Sequence, residues 1–308
     1  MTAMLIDIHQ HVWTPPLLDA LTERERLPFV RRTPEGLTVL HSAGEPSYVI
    51  DVAAETPSVR WGRLRSDGAD LAVVAISSPI GIEALPGPEA EALIAAHLDG
   101  VFALGEGFAA WGPIAFAAPD PDQVDERLAR GCVGISVSAG AIADRAGLEA
   151  LLPVLERVQE REVTLFVHPG PGRERRASEA AFGDPLWWPA LTDYVAQMQA
   201  AWLTFASSGR RELPRLRAVF AMLAGGAPLL AERLATRGGP SVELGEPLTF
   251  YDTSSFGPRM VETMARWVGP EQLVYGSDRP VLEPLRTGRE LELMRNAEIV
   301  LPEVGVYA

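Results

Sequence analysis

Residues 5–11 read Leu5-Ile6-Asp7-Ile8-His9-Gln10-His11, a short apolar strand that ends in two histidines separated by one residue. Side chains at positions i and i+2 of a strand point to the same face, so the two imidazoles project together. This spacing predicts half of a metal site. The chain has only three other histidines, His41, His97 and His168, so few residues can complete it.

Composition limits the class of protein. The 308 residues are 47% hydrophobic and 22% charged, which is ordinary for a globular chain, and we expect one domain spanning residues 1–308. The formal net charge of −14 argues against nucleic acid or an anionic membrane as a partner and favours a small-molecule substrate, with a homo-oligomer possible. No membrane-length apolar run or secretory signal is visible, and there is one cysteine, so we expect a cytoplasmic enzyme.

The chain contains no lysine, so all 27 basic residues are arginine. This excludes Schiff-base catalysis, a lysine-based phosphate loop and a lysine carbamate that bridges two metal ions. A metal site in this chain must therefore be built without a carbamate.

Apolar runs predict eight strands, each followed by a helix or by a connection long enough to hold one. The strands after the first are expected at Leu71–Ile76, Ile114–Ala117, Val133–Val137, Val163–Val167, Arg217–Met222, Leu248–Asp252 and Leu273–Tyr275. This order predicts an α/β fold, a (β/α)₈ TIM barrel. The alternative, a doubly wound open sheet, is weakened because no Gly-x-Gly-x-x-Gly turn follows the first strand.

Two long connections distort the predicted barrel. Residues 12–57 form an insertion over the barrel mouth, with a hairpin of Leu37–Leu40 against Ser47–Ile50. Residues 169–214 form an excursion after the fifth strand, with a helix over Trp187–Phe205 and an arginine cluster at Arg173, Arg175 and Arg176.

Catalytic groups of such barrels lie at the carboxyl ends of the strands, where residues distant in sequence meet. His9 and His11 end the first strand, His168 ends the fifth, and Asp278 follows the eighth. Three imidazoles and one carboxylate suit one divalent ion, Zn²⁺ by preference, with a position left for water or substrate.

Four motifs carry a family resemblance: the His-x-His pair, Phe166-Val167-His168-Pro169-Gly170, Tyr251-Asp252-Thr253-Ser254 and Tyr275-Gly276-Ser277-Asp278-Arg279-Pro280. Together they resemble the amidohydrolase superfamily, in particular the branch of aminocarboxymuconate-semialdehyde decarboxylases and related hydratases and lactonases. The resemblance implies that His9, His11, His168 and Asp278 hold one metal ion. It also implies that Asp278 handles the proton of metal-activated water.

One position departs from this branch. A histidine that usually ends the sixth strand is expected in the stretch Ala221-Met222-Leu223-Ala224-Gly225-Gly226, and Leu223 stands in its place. Loss of a general acid or base costs about 10²- to 10⁴-fold in rate, so either another residue takes this role or the chemistry differs.

Four further residues are candidates for the site, and each also has a structural explanation. Arg279 suits a carboxylate clamp because it follows Asp278. Trp187 and His41 are candidate substrate contacts from the excursion and the insertion, although packing and a solvated hairpin explain them as well. Asp252 can orient a metal-bound histidine or cap the next helix.

The sequence thus predicts a metal-dependent hydrolase that attacks a C–N or C–O bond of a small molecule with metal-activated water, using Asp278 for proton transfer. A metal-dependent decarboxylase of the same family is the alternative. A third possibility, prompted by Leu223, is a catalytically impaired barrel that only binds a metabolite.

Overall fold

The computed structural model describes residues 4–172, 185 and 187–301. Its strands are, in chain order, β1 (Ile6–Gln10), β2 (Phe29–Arg32), β3 (Thr38–His41), β4 (Tyr48–Ile50), β5 (Leu71–Val74), β6 (Phe108–Pro113), β7 (Gly134–Ser138), β8 (Thr164–His168), β9 (Arg217–Phe220), β10 (Thr249–Asp252) and β11 (Leu273–Val274). Strands β1 and β5 to β11 form one parallel sheet, in which sequence neighbours pair throughout.

The first and last strands of this sheet also meet. The Ile8 amide donates to the Tyr275 carbonyl at 3.0 Å, and the Asp278 amide donates to the His9 carbonyl at 2.8 Å. A buried side chain reinforces the closure, because Asp7 Oδ1 accepts from the Ser277 amide at 3.0 Å. The sheet therefore closes into the predicted (β/α)₈ barrel, and the closure places the end of β1 beside Asp278.

Helices cover the outside of the barrel. They are α1 (Pro15–Thr22), α2 (Pro57–Asp67), α3 (Gly87–Phe102), α4 (Asp122–Ala129), α5 (Arg145–Glu160), α6 (Trp188–Leu191), α7 (Asp193–Thr204), α8 (Arg210–Glu212), α9 (Ala231–Thr236), α10 (Pro258–Val268) and α11 (Glu290–Val300). On α5 an apolar stripe at helical spacing is buried, including Leu148, Leu151 and Leu155. Among the described helices, none combines the length and the apolar composition that a membrane crossing needs.

The insertion contains the predicted hairpin, β3 against β4, with β2 added as a third antiparallel strand. It also contains α1, a helix that was not predicted from the sequence. The signal for this helix is present, because Pro15 and Pro16 occupy its first turn and Leu17, Leu18 and Leu21 form its buried face. Proline pairs are also common in loops, so this pair alone does not predict a helix.

Two expected elements are placed differently in the structure. The third barrel strand is Phe108–Pro113 rather than Ile114–Ala117, and it ends at a Gly112-Pro113 pair. Glycine is required at 112 because a Cβ there would lie 2.6 Å from the Arg127 Cβ of α4. The predicted helix over Trp187–Phe205 is divided at Thr192 into α6 and α7. The arginines at 173, 175 and 176 lie outside the described residues.

Candidate metal centre

The four predicted ligands come together at the carboxyl end of the barrel. The Nε2 atoms of His9 and His11 are 3.1 Å apart, and Asp278 Oδ1 lies 3.7 Å and 3.2 Å from them. The ring centroid of His168 is 4.9 Å from that of His9 and 4.9 Å from that of His11. Nitrogen atoms of the three imidazoles all lie within 4.8 Å of one another, and all three residues are buried.

The other nitrogen of each ring is held by an acceptor. Nδ1 of His11 donates to the Ala75 carbonyl at 2.8 Å, Nδ1 of His168 donates to the Pro169 carbonyl at 2.8 Å, and Nδ1 of His9 lies 2.7 Å from Asp252 Oδ2. A carbonyl can only accept, so neutral His11 and His168 present unprotonated Nε2 atoms. Unprotonated nitrogens that converge repel one another unless a cation lies between them. The donor set therefore fits a divalent metal ion.

Electrostatics around the histidines agrees with this fit. Burial alone would lower the pKa of His9, but the charge and hydrogen bond of Asp252, together with Asp278, raise it to about 9. The pKa of His168 is held well below its usual value by burial and by the neighbouring His9 and His11. His168 is thus a neutral imidazole, the form that ligates metals, and an ion bound at His9 would replace a proton there.

Asp252 ends β10 and is fully buried. Beyond its contact with His9, its Oδ1 accepts from the Ser254 amide at 2.9 Å and the Ser254 hydroxyl at 2.5 Å, and from the Met222 amide at 3.0 Å. Burial would raise the pKa of this carboxyl, but His9 and these hydrogen bonds lower it. The group is therefore an ionised acceptor that fixes the ring of His9, and its predicted role as a partner of a metal-binding histidine agrees with the geometry.

Replacing Asp252 by asparagine is expected to lower metal affinity by about 10- to 100-fold, because a neutral amide no longer favours the orientation and basicity of His9. Competition with a chromophoric chelator measures this change. Asp144→Asn is a matched control, since Asp144 caps α5 through the Gly147 amide outside the metal centre. Equal affinity in Asp252→Asn and in this control would contradict the role of Asp252.

Gly276 allows His9 and Asp252 to pack against each other. A Cβ at this position would lie 2.9 Å from the His9 Cβ and 2.9 Å from the Asp252 Cγ, closer than real Cβ contacts occur. We expect Gly276→Ala to displace His9 or Asp252 and so to weaken metal binding and lower the melting temperature together. Calorimetry with and without metal measures both effects. Unchanged metal affinity and melting temperature would show that the strand end relaxes without disturbing either side chain.

The sixth barrel strand, β9, is followed by an unusual turn. Residues 222–226 all have positive φ, with Leu223 at φ 49° and ψ 34°. The turn is buried, and Leu223 has no exposed surface. Leu223, which stands where the resemblance leads one to expect a histidine, is thus a core residue of a left-handed turn whose first amide is held by Asp252.

The remaining candidates occupy different surroundings. Arg279 forms a bidentate ion pair with Asp67, with hydrogen bonds of 2.6 Å and 3.2 Å. It also donates one hydrogen bond of 2.7 Å to Glu283. His41 bonds to the Ser47 hydroxyl at 2.9 Å and packs on Phe29, both within the insertion. Trp187 is 56% exposed beside α6. Arg279 and His41 thus contact other protein residues, and Trp187 is exposed. Substrate binding by these three residues stays a prediction.

Helix α7 also contributes to the site, a contribution that was not predicted. Gln197 accepts from the Gly170 amide at 2.8 Å, two residues after His168, and Gln199 donates to the Gly225 carbonyl at 2.8 Å. Helix α7 therefore contacts both the end of the fifth strand and the turn after the sixth. The sequence offered only the position of this helix in the excursion, without a motif.

Comparisons with known proteins agree with this architecture. The family model described as amidohydrolase matches residues 6–303. IDCase from Metarhizium anisopliae superposes with a TM-score of 0.73 at 17% identity, over 97% of this chain and 92% of that one. The 5-carboxyvanillate decarboxylase of Sphingomonas paucimobilis gives a TM-score of 0.70 at 16% identity, over 98% and 99% of the two chains.

A third similar structure is the 5-carboxyvanillate decarboxylase from Novosphingobium aromaticivorans, which was solved with manganese. It gives a TM-score of 0.69 at 14% identity, covering 97% of this chain and 96% of that one. No significant match is found among curated proteins. The family match covers almost the whole chain and includes every residue of the centre, so this chain belongs to the amidohydrolase family.

Proposed function

We propose that this protein is a metal-dependent lyase that removes CO₂ from a small carboxylated molecule. The observation that carries the proposal is the cluster of His9, His11 and His168 with Asp278 at the barrel mouth, in a chain without lysine. This donor set fits a single divalent ion, manganese or zinc. Superposition with decarboxylases over nearly full length supports decarboxylation over hydrolysis.

The bound ion would supply positive charge that holds and polarises an anionic substrate. His9, His11 and His168 hold that charge in place, and Asp252 fixes the ring of His9. Asp278 is the group that moves a proton, because its side chain is 13% exposed and its Oδ1 lies 3.2 Å from His11 Nε2. In the proposed step the bond to the carboxylate carbon breaks and CO₂ leaves. The carbon that keeps the electron pair takes a proton that Asp278 would relay from water.

Hydrolysis, which is the reaction predicted from the sequence, is the second candidate. It is favoured by Leu223, since metal-assisted attack by water can proceed with one carboxyl group that moves the proton. The two reactions differ in their products: decarboxylation releases CO₂, and hydrolysis of an ester or amide releases a carboxylic acid together with an alcohol or an amine.

Product analysis separates the two candidates. Protein loaded with Mn²⁺ or Zn²⁺ is incubated with ¹³C-carboxyl 5-carboxyvanillate, with labelled hydroxybenzoates, and with their esters and amides. We expect labelled CO₂ and no ester or amide cleavage. Cleavage of the esters or amides without CO₂ release would overturn the proposal in favour of the hydrolase.

The variant Leu223→His tests whether the site is impaired or complete. We expect no gain in activity and a lower melting temperature, because an imidazole would replace a leucine with no exposed surface and burying an unpaired polar group costs about 1–3 kcal/mol. Leu223→Met is the matched control, since it changes shape but not polarity. A gain in CO₂ release by Leu223→His would favour an impaired barrel.

A further inference from the structure

Arg60 of α2 is a buried arginine whose side chain reaches the carboxyl end of β1. Its Nη2 atom donates to Gln10 Oε1 at 2.6 Å and to the His11 carbonyl at 2.9 Å. The amide of Gln10 in turn donates to Asp7 Oδ2 at 2.7 Å, and Asp7 is the carboxylate at the barrel closure. One nitrogen atom of Arg60 therefore holds two successive residues of the metal-binding segment.

His11 is held at three points: its amide, its ring and its carbonyl. The amide donates to the Arg279 carbonyl at 2.7 Å, and Nδ1 donates to the Ala75 carbonyl at 2.8 Å. The third contact is the one from Arg60, and it is the only one of the three that a charged group makes. Hydrogen bonds from a charged donor are stronger than those between neutral groups. Arg60 therefore restrains the backbone that carries the His11 imidazole.

Stability alone does not account for this buried charge. The nearest acid is Glu55 of the insertion, whose Oε1 lies 3.8 Å from Arg60 Nη1 and whose Oε2 accepts from the Trp13 amide at 3.0 Å. Within the described part of the chain, Nε and Nη1 of Arg60 have no hydrogen-bond partner. Taking an ion pair out of water costs free energy that its attraction often fails to recover, and apolar side chains of similar volume serve stability as well. The groups that Arg60 holds in place give its charge a purpose.

We propose that Arg60 is a positioning residue of the metal centre, which fixes the backbone of His11 and thereby raises the affinity for the ion. Arg60 acts through His11, with Gln10 as its second anchor. The proposal deepens the proposed function, on which it rests for the bound ion. It also connects the insertion to the centre, because Glu55 faces Arg60 and bonds to the amide two residues after His11.

Metal binding by Arg60 variants tests the proposal. Competition with a chelator measures the affinity for Zn²⁺, and the visible absorption of the Co²⁺-loaded protein reports the geometry of its ligands. We expect Arg60→Met to lower the affinity about 10-fold, the lower end of the range for groups that support a ligand, and to change the Co²⁺ spectrum. Arg60→Lys keeps the charge on a shorter side chain, so its affinity should lie between those of Arg60→Met and the wild type.

Arg127→Met is the matched control. Arg127 is 4% exposed, against 2% for Arg60, and it also bonds to a backbone carbonyl at the end of a barrel strand, that of Pro113 at 3.0 Å. It pairs with Glu91, and its strand, β6, contributes no predicted ligand. We expect Arg127→Met to lower the melting temperature of the metal-free protein, as Arg60→Met does, and to leave the metal affinity and the Co²⁺ spectrum unchanged.

Two results would overturn the inference: wild-type affinity and spectrum in Arg60→Met, or an equal loss of affinity in Arg127→Met. If Arg60→Met does not fold, the first criterion is applied to Arg60→Lys. None of these measurements requires turnover. A wild-type protein that binds the ion and releases no CO₂ would contradict decarboxylation alone, whereas CO₂ release by the wild type with unchanged affinity in Arg60→Met would contradict the role of Arg60 alone.

Discussion

His11→Ala is expected to lose its bound metal ion and its activity together. The variant removes one of three buried imidazoles whose nitrogens converge within 4.8 Å. Loss of a direct ligand should exceed the roughly 10- to 100-fold that loss of an outer partner costs in metal affinity. Metal content after dialysis, measured by inductively coupled plasma mass spectrometry, should fall from near one equivalent to background.

A second buried histidine provides the control for this experiment. His97 lies on α3 with 1% exposure, and neither of its ring nitrogens has a hydrogen-bond partner within the described structure. Burial lowers the pKa of His97 to about 3, so this imidazole is neutral. His97→Leu should therefore keep its metal. Retention of a full equivalent by His11→Ala would falsify the metal centre as described.

Asp278→Asn is expected to lower kcat by about 10²- to 10⁴-fold, the range for loss of a general acid or base. Three imidazoles remain in this variant, so most of the metal should be retained and KM should change less than kcat. Steady-state kinetics of CO₂ release on the metal-loaded variant measures the effect. Comparing the metal content of the variant with its kcat separates proton transfer from metal ligation. If Asp278 were only a metal ligand, the variant would lose metal and activity in proportion.

The control for Asp278→Asn is the same change at Asp125, which pairs with Arg157 and Arg161 on the outer helices. Asp125→Asn should keep full kcat. If Asp278→Asn keeps its metal and more than a tenth of the wild-type kcat, proton transfer must be assigned to another group.

The barrel and its three histidines could be predicted from the sequence because each depends on a local pattern. His9 and His11 share a face through strand spacing alone, and His168 directly ends an apolar run. Parallel strands then bring these ends together without further information. Asp252 was predicted in part: its place at the end of β10 suggested contact with a histidine, but its bond to the Met222 amide could not be foreseen.

Other features of the site have no sequence signature. Met222, Leu223 and Ala224 all adopt positive φ, which L-residues rarely do, so tertiary contacts rather than propensity set the turn. Helix α7 breaks from α6 and packs over the turn, an arrangement decided by packing between distant segments. The third strand was misplaced because Gly112-Pro113 indicates a turn, whereas a helix packed closely against the strand requires that glycine.

The carboxylate of Asp252 couples two parts of the molecule that the sequence keeps apart. One oxygen orients the ring of His9, and the other accepts from the Met222 amide, which begins the left-handed turn. Each non-glycine residue in that conformation costs about 1–2 kcal/mol, so the turn persists only while such contacts hold it. Interactions that hold Asp252 against His9 therefore also oppose local unfolding of residues 222–226. By thermodynamic reciprocity, an opened turn would release the ring of His9 and weaken its hold on an ion.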